Sequence, residues 1–166
     1  MRLTILFCLV ALCVPVAPAS AQERTQDFQF RVSKDEFDDS ERSFIYTLPL
    51  AADDSRPKAN LMWRCMDDGL NIVYYFDKYL AGDTDENVRV RYRIDDLPAT
   101  EFEYWGMMTS NEGTWMPMHR IRDFTALAER SARIVVEVED PLDSERIRDS
   151  FSLRGLSTAL QLLECR

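Results

Sequence analysis

His119 is the single histidine of this 166-residue chain. A serine triad, a cysteine–histidine dyad or a multi-histidine metal site would each have to use it. The strained Gly-x-Ser-x-Gly elbow that exposes a serine nucleophile is absent. Met116-Pro117-Met118-His119 places thioethers beside an imidazole, a soft ligand set suited to copper, with Met107 and Met108 near in sequence. Methionine also fills gaps in protein cores, and packing is the plainer reading of so short a run. The paired carboxylates Asp53-Asp54, Asp67-Asp68 and Asp95-Asp96 all fall in expected turns, where aspartate caps its own backbone. The stretch from Asp83 begins like a calcium loop, but Val88 and Ile94 stand where that loop needs glycine and glutamate. No catalytic constellation and no cofactor follow from these residues.

Binding chemistry has better candidates. Arg89, Arg91 and Arg93 alternate along one expected strand and put three guanidinium groups on one side of it. They could grip an acidic partner or glycan; a solvated face paired with Glu101 and Glu103 of the next strand is the plainer reading. Trp105 and Trp115, with Tyr104, surround the region from Gly106 to Gly113. Exposed, they would anchor a protein contact; buried, they fill the core of a small β-domain.

Four cysteines divide into two pairs. Cys8 and Cys13 fall in a segment that reads as a secretory signal peptide, residues 1–21. Arg2 opens it, Leu3 to Val16 is almost wholly apolar, and Ala19-Ser20-Ala21 supplies small residues before the expected cleavage. Leu12 before Cys13 argues against lipid attachment, which wants a small residue there. Cys65 and Cys165 remain, and two cysteines in an exported chain most simply make one disulfide. Such a bridge closes a loop of roughly 100 residues, worth about 4.7 kcal/mol in the chain-entropy model. A metal site or a reactive thiol pair is the lesser alternative, since a redox pair favours close C-x-x-C spacing.

Charge narrows the partners. The chain carries 20 basic and 29 acidic side chains, a net of −9, and loss of Arg2 with the signal makes it −10. That balance argues against nucleic-acid binding and against docking on anionic lipid. No apolar run after the signal is long enough to span a bilayer.

The elements that must position these residues are mostly strands. Residues 22–58 form an acidic N-terminal segment with Asp35, Glu36, Asp38, Asp39 and Glu41 clustered in it. It holds strand-like pieces at 28–32 and 43–48 and a loop at 52–58, and either packs on the main body or is partly mobile. Residues 59–166 read as a disulfide-closed β-domain. Asn60 to Cys65 and Leu70 to Phe76 flank Met66-Asp67-Asp68-Gly69, a hairpin signal. Asn87 to Asp95 puts Val88, Val90, Tyr92 and Ile94 on one face. Further strands fall at 102–104, 132–139 and around Ile147 to Leu153. Helical spacing appears at 122–130 and 156–164. The expected fold is mainly β: a small antiparallel sandwich or strongly curved sheet, with one or two short helices and a C-terminal helix tied back by the disulfide.

From residue 60 onward the chain resembles the VasI-like proteins, small exported bacterial proteins associated with type VI secretion. The resemblance rests on Leu61-Met62-Trp63-Arg64-Cys65, on Val90-Arg91-Tyr92-Arg93-Ile94-Asp95, on the Trp115 region, and on Phe151-Ser152-Leu153-Arg154-Gly155-Leu156 running to Cys165. It implies a periplasmic accessory protein whose early and late cysteines bracket the domain, and it carries over no catalytic residue. The expected function is therefore a non-enzymatic periplasmic or secreted protein that binds an envelope protein or a cell-wall component. An inhibitor of a cell-wall hydrolase and a copper-binding protein using Met116, Met118 and His119 are the alternatives.

Overall fold

A computed structural model describes residues 24–34, 41–51 and 53–165. The expected signal peptide and the acidic residues Asp35, Glu36, Asp38 and Asp39 lie outside the described residues. The chain runs β1 (Arg24–Thr25), β2 (Phe28–Lys34), β3 (Glu41–Thr47), β4 (Asn60–Met66), β5 (Gly69–Tyr75), β6 (Asn87–Ile94), β7 (Glu103–Met107), β8 (Gly113–Trp115), α1 (Met118–Ala128), β9 (Arg133–Glu139), β10 (Arg146–Ser152) and α2 (Leu156–Leu160). Among the described residues the strands form one antiparallel sheet, ordered β1-β2-β3-β4-β5-β8-β7-β6-β9-β10. The mainly β fold with two short helices is as expected, and the described strands of the N-terminal segment, β1 to β3, belong to this same sheet.

Alternating apolar residues explain why the sheet curls. Ile45, Leu61, Trp63, Ile72, Tyr74, Val88, Val90, Trp105, Ile134, Val136, Val138 and Phe151 are all buried. They stand on alternate positions of their strands, so one face of the sheet must be wrapped inward. The curl brings β10 back to the chain just beyond β3, where Pro49 bridges Phe151 and the Leu50 amide donates to the Ser150 carbonyl at 2.8 Å. One core results, and it is rich in rings. Trp63 stacks on Phe124 at 6.1 Å and meets Phe28 edge-on at 5.8 Å. Phe124 also meets Tyr92 edge-on at 5.0 Å.

Helix α1 supplies Phe124 and plugs the core between β4 and β6. Its buried residues Ile121, Phe124, Thr125 and Ala128 keep helical spacing. The helix starts at Met118, one turn before the apolar pattern suggests, because Pro117 precedes it with a fixed φ and accepts from the Arg120 amide. Helix α2 is shorter than the sequence spacing indicates. After Leu160 the chain continues in tight turns that still bury Leu163. Its N-cap Gly155 has φ 89°, and a Cβ there would stand 2.7 Å from the Thr25 carbonyl oxygen. Only glycine fits that approach. Beyond α2, Cys165 bonds Cys65 of β4 across a separation of 100 residues.

Candidate functional site

Strand β6 has neighbours on both sides, and its arginines find their carboxylates on the side the sequence reading did not choose. In the β6–β7 register Arg89 faces Tyr104 and Val90 faces Glu103. Glu103 therefore shares the side of Val90, accepts from the Trp105 indole N–H at 3.0 Å and lies 3.6 Å from Arg120. A one-residue difference in register changes which face every side chain takes. The expected pairing of the arginines with Glu101 and Glu103 is thus replaced by pairing with β9.

Across β6, β9 and β10 the register aligns Arg89, Glu139 and Arg146, then Arg91, Glu137 and Arg148. Each glutamate lies between two guanidinium groups. Arg91 Nε donates to Glu137 Oε1 at 2.8 Å, and Arg148 Nε donates to Glu137 Oε2 at 2.7 Å. Arg146 Nε donates to Glu139 Oε2, and Arg89 forms an ion pair with the other oxygen of the same carboxylate. Glu139 is fully buried and Glu137 nearly so, whereas the Arg148 side chain is 62% exposed. Burial works to raise the Glu137 carboxyl, but hydrogen bonds from Arg148 and Arg91 outweigh it and hold the group below the usual carboxylate range. The phenyl ring of Phe102 lies under three guanidinium groups of this ladder, with Arg91 at 4.6 Å, Arg89 at 5.4 Å and Arg146 at 5.7 Å from its centroid.

The third rung differs. Arg93 aligns with Val135 and Ser150, so a valine stands where the first two rungs have glutamate. Arg133 follows on the same face of β9 and donates to Ser150 Oγ at 3.0 Å. Among the described residues neither Arg93 nor Arg133 has a carboxylate in salt-bridge range. An open groove of about 430 Å3 lies over this position, lined by Arg91, Arg93, Arg133, Arg148, Val135 and Ser150 among others. Six arginines and two glutamates on one face of an acidic chain make a localised positive surface. Chemically it can hold an anion by charge-assisted, bidentate hydrogen bonds.

The other sequence candidates are distributed as follows. Trp115 aligns with Gly106 and through it with Asn87, on the arginine side of the sheet, and is half-buried. Trp105 points the opposite way and is 1% exposed. Its role as a contact anchor is therefore corrected to core packing. Tyr104 is the exposed aromatic there, next to Arg89. Met116 is buried in the core, whereas Met118 is 49% exposed and His119 is exposed at the start of α1. Those three side chains are split between interior and surface. Among the described residues no three of His, Cys, Asp and Glu form a metal-binding group, and no helix is long and apolar enough to cross a membrane. Sequence reading found one strand of the arginine face and missed Arg133, Glu137, Glu139, Arg146 and Arg148. Their alternation in Glu137-Val138-Glu139 and Arg146-Ile147-Arg148 is the signal that could have found them.

A second charged cluster is interior. Arg56 donates to both carboxylate oxygens of Asp149 at 2.7 and 2.8 Å, and the Tyr74 hydroxyl donates to Asp149 at 2.6 Å. The hydrogen bond to Asp149 raises the Arg56 guanidinium, and burial pushes the Tyr74 hydroxyl up. This cluster fastens the 53–58 loop to β5 and β10.

Comparison with known proteins gives a fold relation. No family model matches the chain, and no curated protein matches it. Among solved structures, invasion associated protein B from Bartonella henselae is similar, with a TM-score of 0.55 over 86% of this chain and 94% of that one. At 13% identity the likeness is one of fold.

Proposed function

We propose that this chain is a non-enzymatic binding protein of the bacterial periplasm or cell exterior, and that it contacts an envelope partner through the outer face of β6, β9 and β10. The observation that carries the reading is the arginine ladder, a positive strip on a protein whose net charge is −9. Complementary charge of this kind steers association and fixes the partner's register. The disulfide fits an oxidising compartment, and the invasion-associated character of the structural neighbour is compatible with an envelope role. Both described cysteine sulfurs are joined to each other, which leaves neither as a thiol nucleophile. An accessory role in type VI secretion is the form this function takes if the VasI-like resemblance holds. A photo-crosslinking residue at Ala99, beside the groove, tests the reading on envelope extract from the host. Discrete adducts from Ala99, absent when the crosslinker replaces exposed Arg122 on α1, are expected; identical adducts from both positions count against the face.

A further inference from the structure

The ladder states its own ligand chemistry. Glu137 and Glu139 stand two residues apart on an extended strand, and each carboxylate lies between arginines from the strands on either side. Such residues repeat at about 6.7 Å along a strand. The third position of the same series presents Arg93 and Arg133 around Val135; Asp95 and Asp96 line the adjoining pocket, but among the described residues no carboxylate makes a salt bridge to either arginine. Asp95, the nearest acid in sequence, is already engaged: it accepts from the backbone amides of Ala132 and Arg133. Asp96 is exposed and makes no salt bridge to either arginine.

We infer that the Arg93–Arg133 rung is a binding site for carboxylates of an acidic, extended peptide segment on a partner protein. The inference rests on the contact-face reading above and names its ligand. Two observations select a peptide over an acidic glycan or a phosphate. The occupied rungs already hold side-chain carboxylates, on an extended backbone, between paired guanidinium groups. Phe102, the ring set in the ladder, is covered by three guanidiniums, and the exposed ring of this face, Tyr104, stands beside Arg89 at the far end of the row, so neither ring is placed to stack on a sugar held at Arg93 and Arg133. The floor at Val135 and the wall at Ala99 suit the methylene part of a glutamate side chain.

The test is titration calorimetry of the oxidised protein at low salt, where exposed charges are least screened. The probes are a hexaglutamate peptide, a hexaglutamine peptide, alginate and inorganic phosphate. Hexaglutamate is expected to bind and hexaglutamine not to bind. Joint replacement Arg93→Gln and Arg133→Gln is expected to weaken hexaglutamate binding at least about tenfold, the loss of two charge-assisted contacts. Arg122→Gln, on α1, leaves it unchanged. Both replaced side chains are exposed and free of salt bridges in the described structure, and a thermal melt confirms that the variant folds. Joint replacement by lysine separates point charge from the planar fork and is expected to restore binding only in part. Equal hexaglutamate binding by wild type and the glutamine variant, or tighter binding of alginate or phosphate than of the peptide, overturns the site. If the peptide fails to bind while adducts at Ala99 persist, the carboxylate site falls and the contact face stands. If it binds where Ala99 gives no adducts, the site stands and the contact face falls.

Discussion

At the residue scale two buried carboxylates, Glu137 and Asp149, have different jobs. Glu137 is set between Arg91 and Arg148, and their hydrogen bonds hold its folded pKa below the unfolded value despite burial. A depressed carboxylate contributes stability that is complete above its unfolded pKa and disappears as pH falls through the folded one. Glu137→Gln should therefore lower stability at neutral pH and flatten the acid limb of a melting-temperature profile between pH 7 and about pH 3. Because both arginines are partly exposed, the neutral-pH loss should be only about 1–2 kcal/mol. An acid limb as steep as that of the wild type would assign the pH dependence to other groups. Asp149 is the harder case, since its partner Arg56 is also nearly buried. Asp149→Asn removes one of the two carboxylates that hold that guanidinium and weakens the Tyr74 contact; Arg56 keeps Asp53, which accepts from its Nε at 2.9 Å, so chemical denaturation should show a loss of about 1–3 kcal/mol. Little of this was legible in advance. Asp149 and Arg56 lie 93 residues apart, and nothing in either local sequence marks them as partners.

At the scale of elements, alternation was a good guide to the strands wherever it ran for six residues or more, whereas helical spacing misplaced the start of α1 and the end of α2. Strands β4, β5, β6, β9 and β10 stand within a residue or so of the alternating segments. The three-residue β8 escaped because three positions cannot display a period, although it supplies the link between β5 and β7. The missed neighbour of β6 had the same origin: alternation identifies faces but does not say which strand lies on which side. Strand β6 pairs with β7, as the short connection suggests, and also with β9 from beyond a helix. The arginine row was thus legible and its glutamates were not. Helix α2 hangs on Gly155, its N-cap. Gly155→Ala forces a side chain into a left-handed conformation against the Thr25 carbonyl and should cost at least about 1 kcal/mol, read as a lowered denaturation midpoint. An unchanged midpoint would mean that the α2–β1 contact gives way without cost.

For the molecule as a whole, the curled sheet, the helix plug and the Cys65–Cys165 bond divide the chemistry cleanly. Apolar and aromatic residues are inside, the Arg56–Asp149 pair locks a loop, and the anion-holding groups are gathered on one outer face. The disulfide was the most legible long-range feature, because two cysteines outside the expected signal peptide leave one intramolecular pairing. Cys165→Ser opens a loop of 100 residues, and the domain should lose about 2–5 kcal/mol. A melting temperature equal to that of the oxidised wild type would show that the bond is not structural. The central claim is that the β6–β9–β10 face makes the functional contact. It is tested most directly by capture from host envelope extract with Arg93 and Arg133 both changed to Glu, beside the same reversal at Arg122 on α1. Wild type and the Arg122 variant should retain the same partner, and the double reversal should lose it. Retention of that partner by the folded double reversal would contradict the account.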